Sequence, residues 1–291
     1  LEVTTNRLTV SYGNVFNITG SIENAKTADK SNITPSLILT AGASFNGDGG
    51  GVNFNVNNAY VVIGDASTKN SGATGEFNLN FNNSIVDFTK TLKTYEPTAS
   101  GLSPVVNINM INNSVVSFAS HLELWRSATN FTLDESNLTV GGSFANAGIV
   151  TVKNEANFVV IAPIMSSHGG NTGTIVADGG IFELKDSNQD WENAGTMKVT
   201  ATGQFITNKF KCVGEGKMIV DAETLENFAT KTVIDGNGVY NFEGVTTLEN
   251  ANGVTASYEN GNVTITRTYV AKIGDTYYAT LAEAVTAAAN D

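Results

Sequence analysis

Along most of this chain apolar residues alternate with polar ones, and the polar partner is unusually often asparagine. The segment Val52-Asn53-Phe54-Asn55-Val56-Asn57 alternates strictly. A period of two is the strand period, with one face turned inward and the other toward water. The pair Asn57-Asn58 interrupts it, and a second short strand is predicted at Tyr60 to Ile63. The same frame returns without a gap as Phe77-Asn78-Leu79-Asn80-Phe81-Asn82-Asn83-Ser84-Ile85-Val86. It returns again as Val106-Asn107-Ile108-Asn109-Met110, followed by Asn112-Asn113-Ser114-Val115-Val116, and more weakly from Asn130 to Val140. The steps are about 23 to 30 residues, inside the range of solenoid repeats.

The second half repeats in a different form. Phe144-Ala145-Asn146-Ala147-Gly148 recurs as Trp191-Glu192-Asn193-Ala194-Gly195, with Asn171-Thr172-Gly173-Thr174-Ile175-Val176 between them. Trp191 thereby takes the inward position of Phe144. The aromatic anchors Phe158, Phe182 and Phe205 follow at steps of about 24 and 23, so one turn uses about two dozen residues. A two-residue break is too short for a crossover between parallel strands of one sheet. A two-residue hairpin favours Asn-Gly or Asp-Gly, whereas these breaks read Asn-Asn. A sharp corner between two faces of a coil fits better, because Asn tolerates the left-handed backbone a corner requires. Stacking then places Asn57, Asn58, Asn82, Asn83, Asn112 and Asn113 in a structural corner ladder of hydrogen-bonded amides.

On these Asn-φ-Asn-φ-Asn-Asn turns (φ an apolar residue) and the later Gly-Thr-Ile-Val and Ala-Gly-Thr-Met-Lys-Val turns, the chain resembles right-handed parallel β-helix proteins of the pectin-lyase-like class, including bacterial adhesin-like surface proteins. The resemblance implies an all-β fold: a single-stranded right-handed parallel β-helix solenoid over residues 1–252, with roughly ten turns and a length of ~50 Å at a ~4.8 Å strand spacing. A β-sandwich or a string of Ig-like domains would show more hairpin signals and no single stacked period.

The C-terminal end breaks the pattern. Asn260-Gly261 between alternating runs predicts a hairpin over 253–268, read as a cap on the open end of the stack. Gly274-Asp275 predicts a second hairpin, and Thr280-Leu281-Ala282-Glu283 is a capping box that starts a short Ala-rich helix at Thr280. Residues 269–291 thus read as a hairpin and helix opening a following module of a longer protein, the alternative being a terminal cap.

Composition narrows the partners. Of 291 residues only 15% are charged against 41% hydrophobic, with 36 Asn, 29 Gly and 4 Pro. Apolar residues are too plentiful and regular for charged disorder. A net charge of −12 disfavours nucleic acid, whose phosphates call for Lys and Arg. No stretch approaches the roughly 18 apolar residues of a membrane span, so no membrane insertion is expected within this segment. The one cysteine, Cys212, excludes an internal disulfide and multi-Cys zinc patterns. No signal peptide is visible. An uncharged Asn/Thr surface is associated with extracellular bacterial proteins, and an extracellular or cell-surface location is expected.

Candidate chemistry is sparse. His121 alternates with apolar neighbours and reads as an outward strand position, and His168 as a loop residue; their separation gives no metal spacing. Arg126 and Arg267 are isolated, with no stacked acidic cluster beside them. Asp134, Asp178 and Asp221 fall at corner sites, standing in for Asn. Asn46-Gly47-Asp48-Gly49-Gly50-Gly51 lacks the calcium nonapeptide repeat and reads as a turn. Thr264-Ile265-Thr266 occurs once, not as the row on every turn that an ice-binding face needs. The sequons at Asn17, Asn130 and Asn262 follow from Asn/Thr alternation. No metal or cofactor is expected. Trp125, Tyr95 and Tyr258 are the weak candidates for stacking on sugar rings. The resulting expectation is a non-catalytic bacterial cell-surface adhesin-like or stalk module that contacts glycans or host surface proteins through an Asn/Thr-rich face, alongside further modules of the same chain. The alternative is a polysaccharide lyase or glycoside hydrolase of the pectin-lyase-like fold.

Overall fold

A computed structural model describes residues 1–3, 7–11, 13–46, 51–69, 76–94, 105–162, 169–185, 191–200, 203–207, 210–212, 217–220, 248–249, 254–259, 262–267, 270–273 and 276–289. Each coil lays down three short strands, one in each of three parallel sheets. Sheet 1 holds ten strands: 15–19, 52–57, 77–82, 106–111, 129–134, 149–153, 174–178, 196–200, 217–220 and 248–249. Sheet 2 holds nine, from 2–3 and 37–39 through 60–63 and 85–88 to 204–207. Sheet 3 also holds nine, from 8–11 and 43–46 through 122–124 and 144–146 to 210–212. Every neighbour in these sheets comes from the coil before or after, in chain order. The protein is a parallel β-helix.

Alternation explains the register. Val52, Phe54 and Val56 point inward and are buried, and they lie opposite Phe77, Leu79 and Phe81, which are buried in turn. The next coil adds Val106, Ile108 and Met110 in the same columns. Each coil therefore rests its apolar side chains on those of its neighbours, and one continuous core runs from Val10 to Phe205. Aromatic columns run through it: Phe88 stacks on Phe118 at 4.5 Å between ring centroids, and Phe158, Phe182 and Phe205 are register partners in sheet 2. Trp191 is fully buried, stacked 6.2 Å from Phe144, and its Nε1–H donates to the Phe144 carbonyl at 3.2 Å. It does occupy the inward position.

The corners carry the polar chemistry. Between sheets 1 and 2 the chain turns through a left-handed residue: Asn58, Asn83, Asn112 with Asn113, Glu135, Asn154 with Glu155, and Gly179, all at positive φ. Just inside that corner Ser84, Ser114 and Ser136 are buried. Each hydroxyl accepts the backbone N–H of the coil before it, from Ala59, Ser84 and Ser114 respectively, at 3.1 to 3.2 Å. Between sheets 3 and 1 the repeated Asn-x-Gly places Asn146, Asn171 and Asn193 fully inside. Asn146 Nδ2 donates to Asn171 Oδ1 at 2.8 Å, and Asn171 Nδ2 to Asn193 Oδ1 at 2.6 Å. Their glycines are required by close approach. A Cβ on Gly173 would lie 2.1 Å from the Gly148 carbonyl oxygen, and one on Gly195 2.1 Å from that of Gly173.

One insertion leaves the coil. Residues 20–36, between strands 15–19 and 37–39, fold over the outer side of sheet 2. There Ile22, Ala25, Ala28 and Ile33 cover Tyr60, Val62, Ile85 and Val115. Asn83 fastens the insertion: its Nδ2 donates to the carbonyls of Ile22 and Glu23, and its Oδ1 accepts Ala25 N–H, all at 2.9 Å. Asp87 fastens it again, pairing with Lys30 while accepting the Tyr60 hydroxyl at 2.8 Å and the Ser117 hydroxyl at 2.6 Å.

Strands 254–259 and 262–267 form an antiparallel hairpin, and strands 271–273 and 276–278 a second. The predicted turn residues Asn260-Gly261 and Gly274-Asp275 lie outside the described residues. Helix α1 spans Leu281–Ala288 with Thr280 as N-cap, in a reciprocal capping box with Glu283.

Candidate interaction surface

The outward side of sheet 1 is built from the polar half of the alternation. The register aligns it into three rows. The first runs Val15, Asn53, Asn78, Asn107, Asn130, Ile149, Thr174, Thr196. The second runs Asn17, Asn55, Asn80, Asn109, Thr132, Thr151, Val176, Lys198. The third lies along the corner: Thr19, Asn57, Asn82, then after a one-residue widening Asp134, Lys153, Asp178 and Thr200.

Strand stacking at ~4.8 Å brings equivalent amides within hydrogen-bond reach. In the second row Asn55, Asn80 and Asn109 each donate Nδ2 to the Oδ1 of the preceding rung at 2.8 Å. In the first row Asn78, Asn107 and Asn130 do the same at 2.9 to 3.1 Å. Along the corner Asn82 donates to Asn57 at 3.4 Å and Asn112 to Asn82 at 2.8 Å, while Asn83 donates to Asn58 at 2.9 Å. Asn113 continues the left-handed corner, its N–H donating to the Glu135 carbonyl at 3.0 Å. Every amide in these ladders points its NH2 toward the N-terminal coil. Rungs within the two strand-face rows each keep one N–H and one lone pair for something outside the protein, whereas Asn83 is taken up by Asn58 and the insertion.

Sequence reasoning placed the ladder at the corner. It missed the two ladders on the strand face and the buried one at Asn146, Asn171 and Asn193. The signal was present in both cases: the aligned Asn-φ-Asn frame for the first, and the recurring Asn-x-Gly for the second.

The other candidate residues do not converge. Trp125 is half-buried and its Nε1–H donates to Glu123 Oε2 at 2.8 Å, an oxygen that also pairs with Lys93 at 2.9 Å. Tyr95, His168 and Asp221 lie outside the described residues, as does the Tyr258 side chain on strand 254–259. His121 is not an outward strand residue. It sits in the corner before strand 122–124, where Nδ1 accepts the Ser143 N–H at 2.8 Å, because Gly142 leaves room for the ring. Arg126 is buried, with its guanidinium 5.9 Å from the Phe77 ring. Asp134 and Asp178 do lie at corners. Asp134 accepts from Asn154 at 2.7 Å and pairs with Lys153 at 3.1 Å, and Asp178 accepts from Thr200 at 2.7 Å.

A groove of about 830 Å³ follows this corner, lined by Lys26, Asn113, Glu135, Asn154, Glu155, Asp178 and Gly179. Among the described residues no group of three or more His, Cys, Asp or Glu is arranged to hold a metal ion. No described helix is long and apolar enough to cross a membrane. One titration stands out: burial and the neighbouring Asp87 carboxylate push the Tyr60 hydroxyl up to about 12. That is a consequence of the insertion clasp, since an anionic phenolate would lose the bond to Asp87. No protein-family model, no curated protein and no solved structure matches the chain.

Proposed function

We propose that this β-helix is a non-catalytic, adhesin-like or stalk module of a bacterial cell surface, and that its outward sheet 1 is the contact face. The observation that carries this reading is the grid of Asn and Thr. Its first row holds no charged residue from Val15 to Thr196, on a chain of net charge −12. Such a face offers many equivalent, weak hydrogen bonds to glycans or to protein surfaces, and affinity comes from their number. The three-sheet coil also supports kinship in plan with pectin-lyase-like β-helices. The rod itself supports a spacer role, since each coil braces only its neighbours and length adds without a new core.

The test is binding of the purified chain to neutral glycans and extracellular matrix proteins, compared with an Asn80→Ala/Asn109→Ala variant. Retention by the native chain and loss in the variant is the expected result. Release of unsaturated or reducing ends from a polysaccharide would replace this reading with a lyase or hydrolase.

A further inference from the structure

Resting on that reading of sheet 1, we propose that the partner of this face is a second copy of the same face, so that two rods adhere side by side in antiparallel orientation. The period of the face fits a second copy. Hydrogen-bonding rungs on the face repeat at the strand spacing of ~4.8 Å. A ligand with any other repeat drifts out of step after a few rungs, whereas a second copy of this solenoid has the same period and stays in step along its whole length.

The polarity of the ladders sets the orientation. All amides of the Asn17–Asn109 and Asn53–Asn130 ladders donate toward the N-terminal coil, so each ladder is a row of aligned dipoles. A two-fold axis along the strand direction brings row onto like row with the rods reversed. This opposes the dipoles and makes the contact isologous. In cross-β stacks, sheets that carry Asn ladders pair face to face through interdigitated side chains.

Charge favours the same face. Two chains of net charge −12 repel, and the first row, with the second row as far as Val176, lets them meet without a charged side chain; Lys198 ends the second row, and Asp134, Lys153 and Asp178 lie to one side along the corner. Outward positions of the other sheets carry Asp87 and Glu183, or Lys93 and Glu192. The area suffices as well. Eight strands of five or six residues, from 15–19 to 196–200, present roughly 700 Å² at ordinary strand spacing and rise, close to the ~800 Å² per partner of a standard interface. Exposed Ile149 and the half-buried Val176 on the same rows add apolar contact.

The experiment is sedimentation equilibrium of the full chain across its soluble concentration range, with charge-swap variants. Thr132 and Thr151 lie in the second row beyond the amide ladder, so Thr132→Asp/Thr151→Asp and Thr132→Lys/Thr151→Lys add charge without cutting an amide pair. Circular dichroism of each variant confirms folding. The native chain is expected to dimerise. Each variant alone should raise the dissociation constant roughly 100-fold or more, since like charges then meet across the interface. An equimolar mixture of the two should restore association. A native chain that stays monomeric throughout, or a dimer indifferent to both variants, overturns self-pairing. If in either case glycan or matrix binding persists and depends on Asn80 and Asn109, the contact-face reading stands without it.

Discussion

Asn171 is the middle rung of the buried ladder, and its replacement tests the main claim about how the later coils hold together. Its Oδ1 accepts from Asn146 at 2.8 Å. Its Nδ2 donates to Asn193 Oδ1 at 2.6 Å and approaches the carbonyls of Gly173 and Thr196 at 3.2 Å. Asn171→Ala removes two amide–amide bonds at about 1 kcal/mol each and leaves polar groups of Asn146 and Asn193 facing a dry gap, at about 1–3 kcal/mol. A loss of about 3–5 kcal/mol is expected. Asn171→Asp sharpens the test because it keeps the shape. Ionised, the carboxylate is buried and sets two oxygens against each other where Nδ2 now meets Asn193. Protonated, its O–H restores that donor. Burial therefore raises the pKa of this aspartate above the ordinary value. The variant should be least impaired at low pH and lose stability as pH rises through the raised value. Urea unfolding read by circular dichroism gives the loss, and amide hydrogen exchange at Gly148, Gly173 and Gly195 locates it. An alanine variant within about 0.5 kcal/mol of the native chain, or a pH-independent aspartate variant, would refute the buried-ladder argument.

Two further outcomes follow from the corners and the clasp. Tyr60 titrates near 12 instead of about 10, so its contribution is full below pH 10 and is lost as pH rises toward 12. The shift bounds that contribution at roughly 3 kcal/mol; Tyr60→Phe should flatten this alkaline step, and limited proteolysis within residues 20–36 should show the native insertion opening over the same range. Gly173→Ala places a methyl 2.1 Å from the Gly148 carbonyl, so the coils must part; a loss above about 2 kcal/mol in the same urea assay is expected, against less than about 1 kcal/mol for Ala147→Ser on the outer side of the corner.

The solenoid was legible because its signal is carried by spacing. Phe54, Leu79 and Ile108 recur at the same point of each frame, and a strand period of two leaves no other face for them. The corner residues were legible because the left-handed backbone selects for Asn, although Glu135 and Glu155 take the same conformation without that excuse. His121 was misread because alternation cannot tell the last corner residue from the first strand residue. The burial of Arg126 was hidden for a related reason. A single residue between sheets points in or out according to the corner's backbone, not the pattern around it. The covering of sheet 2 by residues 20–36 was illegible altogether, since Ile22, Ala25 and Ile33 do not alternate as a strand would and their spacing says nothing about which sheet they cover.

The two kinds of amide ladder divide the rod between them. The outer rows run from Asn17 to Asn130, and the buried row from Asn146 to Asn193. They share one coil, 129–146, which holds Asn130 on its outer side and Asn146 inside. Coils of a solenoid are coupled only through nearest neighbours, so a chain of directional bonds matters most where one system hands over to the next. Earlier coils place threonine at the sheet 3 to sheet 1 corner, where the Thr94 and Thr129 hydroxyls meet at 3.3 Å, and leave amides to the surface. Later coils bring the amide indoors, where it fixes register because a shift by one residue would strand it against Val and Phe. The surface amides of the earlier coils are under no such burial. Water can satisfy them as well as their neighbours do, so folding alone accounts weakly for two outward rows of aligned asparagines, Asn17 to Asn109 and Asn53 to Asn130. The contact proposed for this face would supply a reason that folding does not.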